Sequence, residues 1–350
     1  VLDRGVPTNL PCVLPRETLA DTIVFLGMAG TSRTRVIERL LMGAQTMGWP
    51  WVHITAGGRR EAASQRKLWP QLLLIDGHAP DSEQATLACH PLVPPPGCTL
   101  PRFQDALLHV LGSVFDLPQS ASILLRPALR ETYRLAGWTD GHMGNLLTPA
   151  DLAEQIEVQM RNQALPQEIS TLLMTHCILP LRDLADTAAW LFQRETRGWM
   201  PTGALLVEVG WVGNELSNRL VRGCLWAWFA LALSALEEEA TLPRALLSLD
   251  EAHLFFPQAA STHDFSLTSL LDQHTAQGCG ALLFSDRSNL LAREIHERSA
   301  LTLLTQQDRA GTLEYIPALT QRQRQRLVHL QPEEIALIAR NSEVFLALLT

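Results

Sequence analysis

The sequence predicts an α/β fold in which a mainly parallel sheet is covered by helices and interrupted by an inserted all-helical subdomain. Three observations predict it. Short apolar runs bounded by turn residues alternate with stretches of helical period. One such run, Ile23-Val24-Phe25-Leu26, empties into a glycine-containing loop and then a helical pattern. Another, Ala245-Leu246-Leu247-Ser248-Leu249, ends in two adjacent carboxylates, Asp250 and Glu251.

In chain order, residues 1–20 are a proline-rich lead-in and Thr22–Leu26 is the first strand. Thr34–Met47 is a helix, because Val36, Ile37, Leu40, Leu41 and Ala44 are spaced for one apolar face. Trp51–Thr55 completes a strand–helix–strand unit. Gly57-Gly58-Arg59-Arg60 is an exposed loop, Leu72–Ile75 a short strand, and Pro94-Pro95-Pro96-Gly97 a boundary. From Phe103 to about Gly198 the period is helical. Ala106, Leu107, Val110, Leu111 and Val114 make one apolar face, and Ile123, Leu124, Ala128 and Leu129 another. Thr148 is a helix cap with Pro149 at the first position; Leu165-Pro166 ends that helix and Ile169–Leu179 begins the next. The sheet resumes at Ala204–Val209, followed by a long helix from about Asn214 to Glu239 and then the carboxylate strand. Thr262–Gln277 is a helix capped by Ser261. Ala281–Ser285 and Leu301–Leu304 are strands, residues 319–338 are helical in part, and Glu343–Leu349 is a closing strand.

The length of 350 residues suits one large α/β domain, or a core with an insertion. The expected division is residues 1–100 for the N-terminal part of the core with the glycine loop, 101–200 for the helical insertion, and 201–350 for the C-terminal part with the carboxylate strand. A net charge of −8 argues against a generally basic nucleic-acid surface, while leaving room for a small basic channel in an oligomer. The six cysteines are scattered without a C-x-x-C pair, which fits free thiols in a reducing cytoplasm and suggests no zinc site. The most membrane-like stretch, Leu220 to Leu236, contains Arg222 and sits between two expected strands, so a buried helix is expected and no membrane span. The chain begins at Val1 without a signal-peptide pattern, and a further N-terminal domain would fit before it.

A phosphate-holding loop needs glycines so that successive backbone N–H groups turn inward. It needs a lysine to reach the outer oxygens and a hydroxyl for magnesium, in the spacing G-x-x-x-x-G-K-[ST]. Gly27, Gly30 and Thr34 fall on that pattern, but Ser32 stands where the last glycine belongs and Arg33 where the lysine belongs. Ser32 adds a Cβ where backbone must approach the ligand. Arg33 keeps the charge, as a wide planar fork in place of a compact point charge. The chain holds a single lysine, Lys67, among 28 basic residues, so Arg33 agrees with a chain-wide bias toward arginine; it still counts against hydrolysis. Asp250, at the end of its strand, can hold Mg²⁺ directly or through water, and Glu251 can orient the attacking water. The ordinary alternative is a core strand that ends in an acidic turn. The candidate nucleotide contacts are therefore Gly27, Gly30, Thr31, Ser32, Arg33 and Thr34. Arg33 and Glu251 are the candidate catalytic residues, Thr34 and Asp250 the metal ligands, and ATP with Mg²⁺ the cofactors.

With both motifs placed, the chain resembles the HerA and FtsK superfamily of ring-forming DNA translocases, closest to its HerA-like branch, which is also similar to conjugative ATPases. The similarity extends to Leu14-Pro15-Arg16-Glu17-Thr18-Leu19, His90 to Gly97, Ala281–Ile295 and Leu319 to Arg324, in that order. The resemblance implies a RecA-like P-loop NTPase core, a homo-hexameric ring, ATP-driven movement on duplex DNA, and partnership with a nuclease or another effector. It implies phosphate and magnesium contacts for Gly27, Gly30, Arg33 and Thr34, and metal and water roles for Asp250 and Glu251. The sequence departs from the family at Ser32 and Arg33, and at Asp286, where a glutamine is usual. Ile54-Thr55-Ala56-Gly57-Gly58 also lacks the acidic residues that relatives often carry. Arg293 and Arg298 are candidate arginine fingers by position.

Three readings follow. The intact Asp250-Glu251 pair motivates an ATP-hydrolysing translocase subunit. The Ser32, Arg33 and Asp286 changes motivate a ring scaffold with weak or absent nucleotide binding. Asp250-Glu251-Ala252-His253 spells a DEAH-type helicase motif, but Leu283-Phe284-Ser285-Asp286 lacks the Ser-Ala-Thr expected of one. His253 is expected to be a local packing or hydrogen-bonding residue, Trp226 and Trp228 core, Glu237-Glu238-Glu239 a solvated helix end, and Gln321 to Arg326 a solvated helix face.

Overall fold

The structure, a computed structural model, describes residues 2–3, 6–7, 13–27, 31–55, 73–76, 90–140, 142–163, 165–192, 203–209, 214–235, 245–258, 267–305, 313–314, 316, 319–331, 333–340 and 343–348. Gly30, the side chains of Thr31 and Ser32, residues 56–60, Glu237-Glu238-Glu239 and the candidate cap Ser261 lie outside them. The described strands are β1 (Leu2–Asp3), β2 (Val6–Pro7), β3 (Thr22–Leu26), β4 (Trp51–Thr55), β5 (Leu73–Asp76), β6 (Ala204–Glu208), β7 (Ala245–Leu249), β8 (Cys279–Ser285), β9 (Leu301–Leu304), β10 (Glu334–Ala339) and β11 (Val344–Leu348). By their contacts the residues fall into two units. The first comprises Val1–His53, Glu237–Ser261 and Leu271–Thr350, and the second Ile54–Leu236 and Thr262–Leu270.

In the first unit the strand order is β11-β10-β9-β3-β8-β7-β4. β3 is parallel to β9 and β8, and β8 to β7, with Leu26 opposite both Leu304 and Ser285. Their buried apolar runs are what a parallel sheet covered on both faces requires. The Phe25 and Phe284 rings meet at 5.5 Å between centroids. Gly280 permits a close approach of chains: a Cβ there would overlap the Leu19 carbonyl oxygen. Two expectations need correction. The helix after the glycine loop is Thr31–Thr46, beginning three residues before the expected Thr34, so Arg33 and Thr34 lie in its first turn. The apolar period that sets the face begins only at Val36, which hides the polar first turn from a periodicity reading. Residues 319–338 divide into a short helix, Gln321–Leu327, and β10. A capping box between Thr320 and Gln323 starts that helix, and the run Ile335-Ala336-Leu337-Ile338 is buried between β9 and β11 as an antiparallel strand.

In the second unit β5 and β6 pair in parallel, and Val209 N donates to the Thr55 carbonyl at 3.1 Å. Between β5 and β6 the described residues form the helices Leu100–Val114, Ser122–Leu135, Pro149–Asn162, Gln167–Leu173 and Leu179–Thr187, with a π-helical turn at Met174–Ile178. The face Ala106, Leu107, Val110, Leu111, Val114 is buried as expected. On the next helix Ile123 is 65% exposed and Leu125 is buried, because the apolar stripe turns one residue later than expected. Thr148 caps its helix in a reciprocal box with Asp151, with Pro149 at the first position. The helix Glu215–Ser234, started by the Asn214 side chain, buries both Trp226 and Trp228, and Trp228 Nε1 donates to the Val93 carbonyl at 2.8 Å. Among the described residues no helix is long and apolar enough to cross a membrane.

Candidate functional site

β3, β8 and β7 are parallel neighbours, so their C-terminal ends open on the same edge of the sheet. Ligand sites of open α/β sheets form outside that edge, where loops leave the strands. Gly27 follows β3 there, Asp250 and Glu251 follow β7, and Ser285 ends β8. Gly27 is held tightly. Its N–H donates to the Ser285 carbonyl at 3.1 Å, and a Cβ on it would overlap Thr305 Oγ1 and lie 3.0 Å from the Phe25 ring. The glycine is thus needed for packing at the root of the loop as well as for the turn.

The two stretches singled out in the sequence meet at Arg33 and Asp250. The Arg33 guanidinium, in the first turn of helix Thr31–Thr46, forms an ion pair with Asp250 Oδ1, and both side chains are only 10% exposed. Asp250 Oδ1 also accepts from Glu251 N at 2.7 Å. Thr34 is half-buried one residue beyond Arg33. Glu251 is half-buried and sits at φ 53°, ψ 42°. That left-handed conformation costs a non-glycine residue about 1 kcal/mol or more and persists where the surroundings fix it.

Sequence reasoning missed the layer beneath. His53 on β4 places Nδ1 2.7 Å from Ser248 Oγ on β7 and lies edge-on to Phe284 at 6.1 Å. Burial pushes its pKa down to about 3, with the nearby Arg33 charge acting in the same direction, so the imidazole is neutral at neutral pH. The available signal was a polar Ser248 inside an apolar strand facing a polar His53 inside another. On the other side of the acidic turn, buried His253 places Nδ1 3.1 Å from Ser285 Oγ and 3.7 Å from the Asp286 carboxylate. Arg287 N donates to the same Ser285 Oγ at 3.1 Å, so the serine's own hydrogen is available to His253. His253 is thus the local hydrogen-bonding residue expected of it. Arg293 and Arg298 pair with Glu297 and Asp272 of their own chain.

No family model and no characterised relative matches the sequence. Solved structures do match. VirB4 of Thermoanaerobacter pseudethanolicus superposes with a TM-score of 0.64 at 17% identity, over 93% of this chain and 88% of that one. The bacterial conjugative coupling protein TrwBdeltaN70, in its unbound monoclinic form, gives 0.61 at 14% identity, over 100% of this chain and 88% of that one. This chain shares their fold, a mainly parallel sheet covered by helices. The trigonal form of TrwBdeltaN70 in complex with sulphate gives 0.56 at 15% identity, over 100% and 89%. At these identities the likeness is one of fold, and the parallel order β3-β8-β7 accounts for why a glycine loop and a distant acidic strand converge on one sheet edge. Magnesium in such a site would need the Asp250 carboxylate and the Thr34 hydroxyl. Asp250 Oδ1 is already engaged by the Arg33 guanidinium and by Glu251 N, so a cation at that oxygen would compete with Arg33.

Proposed function

We propose that this chain is a nucleotide-binding subunit of a HerA/FtsK-like, hexameric DNA-translocating motor, in which ATP hydrolysis drives movement on duplex DNA in company with a nuclease or other effector. The observation that carries the reading is the junction of Arg33 and Asp250 at the carboxyl edge of β3 and β7, in a fold shared with VirB4 and a conjugative coupling protein. In this reading Gly27 roots the loop through its bond to Ser285, and backbone N–H groups beyond it through Thr34, including Gly30, Thr31 and Ser32, cradle the phosphates. The N-terminus of helix Thr31–Thr46 adds its dipole, and Arg33 neutralises phosphate charge. Glu251 orients the attacking water. The test is ATP turnover by purified protein with duplex DNA present, beside a mass determination. Turnover that Glu251→Gln abolishes, in a hexameric particle, is the expected result. Turnover no faster than that of Glu251→Gln would reject the motor.

The same contact favours a second reading. With Arg33 closed onto Asp250, and with no acidic residue in Trp51–Thr55, the subunit would serve as a catalytically silent member of a ring, holding an effector in place. A hexamer without turnover is the result that selects it.

A further inference from the structure

We infer that the groove between the helices Leu100–Val114 and Ser122–Leu135 is a docking site for an acidic, amphipathic helix of a partner protein. The groove lies wholly in the second unit and does not depend on the nucleotide-binding reading.

The groove holds about 460 Å³, a volume within the range of ligand sites. Its floor is carbon. Leu108, Leu129, Tyr133 and Trp138 line it, and each is nearly covered. The polar atoms of both aromatic residues are spent on other partners. Tyr133 Oη donates to the Leu92 carbonyl at 2.6 Å, and Trp138 Nε1 to the Asn145 carbonyl at 2.7 Å. The two rings meet edge to face at 6.3 Å between centroids, an arrangement that favours one fixed geometry.

The rim is basic. Arg126, Arg130 and Arg134 stand four residues apart on one helix, so they repeat at about 6 Å along one face. Ile123, 65% exposed, lies on the same face one turn earlier. Arg126 pairs with Asp105 and Arg134 with Glu131, both at the surface, where such pairs are weak and exchange partners readily. Arg130, between them, is exposed and makes no hydrogen bond or ion pair with the described residues. Three arginines against Asp105 and Glu131 leave one net positive charge, centred on Arg130, in a chain whose net charge is −8.

A helix with carboxylates at four-residue steps repeats at the same spacing of about 6 Å, and its apolar side chains would meet Ile123. A nucleic-acid strand fits less well. Its bases need open aromatic faces to stack on, whereas Tyr133 and Trp138 are 2% and 6% exposed. Its phosphates have no use for Ile123 and would approach against the field of a net-negative chain.

The test is fluorescence anisotropy at low salt with the intact chain and a labelled alanine-based peptide. The peptide carries glutamate at three successive fourth positions and leucine one turn beyond. Wild type should bind it, and Arg130→Glu, a change at an exposed side chain, should weaken binding about tenfold or more while leaving the fold intact. Ile123→Ser should weaken it about threefold. Arg161→Glu makes the same charge change on an exposed arginine that does not line the groove, and its affinity should stay within about twofold of wild type. Equal losses for Arg130→Glu and Arg161→Glu would overturn the site, since net charge alone would then govern affinity. No binding by wild type would overturn it outright. A single-stranded oligothymidylate that displaces the peptide, and is weakened by Arg130→Glu to the same degree, would overturn the assignment to a peptide in favour of nucleic acid.

Discussion

The Arg33–Asp250 pair makes a quantitative demand on stability. Each partner is 10% exposed, so removing one leaves a nearly desolvated charge without its counter-ion. Breaking a buried pair in this way costs about 3–5 kcal/mol, whereas replacing both partners with groups of similar volume is often close to neutral. Arg33→Met should therefore destabilise the first unit by about 3 kcal/mol or more, and Asp250→Asn by a similar amount. The double variant Arg33→Met/Asp250→Asn should recover most of the loss, giving a coupling energy of about 2 kcal/mol or more where exposed pairs give about 0.2–1. The assay is urea unfolding at neutral pH for the four proteins of the cycle, with midpoints and slopes fitted separately so that a change in slope is not mistaken for a change in stability. A coupling energy near that of an exposed pair would refute the argument, because the guanidinium would then be free to leave Asp250.

Other expectations follow from the same neighbourhood. Gly27→Ala drives a methyl group into Thr305 Oγ1 and toward the Phe25 ring, so it should cost about 1–3 kcal/mol; Thr305→Ala in the same chain should return part of this, read from the same urea midpoints. Acid should weaken the first unit through His53. Its folded pKa is lowered to about 3 from 6.5, so between those values only the unfolded imidazole takes up a proton, and stability present above pH 6.5 is lost as pH falls. From pH 7 to pH 5 this one group removes about 2 kcal/mol, a share that His53→Gln should abolish in a pH series of unfolding curves. Glu251→Gly should raise stability by roughly 0.5–1 kcal/mol, since glycine adopts φ 53° without strain, while eliminating any ATP turnover. Thr148→Ala removes half of a capping box and should cost about 1 kcal/mol of the second unit's stability in thermal or urea unfolding.

What was legible in the sequence was what periodicity and punctuation report. The strands Thr22–Leu26, Trp51–Thr55 and Leu301–Leu304 have the expected ends because polar or turn residues flank buried apolar runs. Thr148-Pro149 announced a helix start because cap and proline preferences depend on local backbone chemistry alone. The lost register at Ile123 and the unexpected strand Glu334–Ala339 have a different cause: which face is covered, and whether an apolar run is extended, are decided by partners distant in sequence. The site followed the same division. Gly27, Arg33, Asp250 and Glu251 could be named from spacing, but the closure of Arg33 onto Asp250, and the layer formed by His53 and Ser248, depend on strand order across the first unit. The depressed His53 pKa is the consequence of that order, since the same imidazole on an exposed loop would titrate near its ordinary value.

Two features of the site pull against each other, and their opposition is informative. Arg33 occupies the carboxylate that a metal-dependent hydrolase would keep open. Glu251 holds a left-handed backbone that glycine or asparagine would adopt at lower cost, with its neighbour Asp250 accepting from its N–H to fix the turn. A site retired from all chemistry has no use for strain at its acidic turn, and a site built for metal-dependent turnover has no use for a guanidinium on its metal ligand. Both features are compatible with a site in which Arg33 closes on Asp250 while Glu251 keeps the position from which a water would be oriented. On that basis the informative variant is Arg33→Lys. If magnesium-dependent turnover rises with it, the acidic turn was competent throughout and Arg33 was the limiting residue. If turnover does not rise, the deficit lies elsewhere in the site, and the exposed Asp286 beside His253 becomes the next residue to exchange for glutamine.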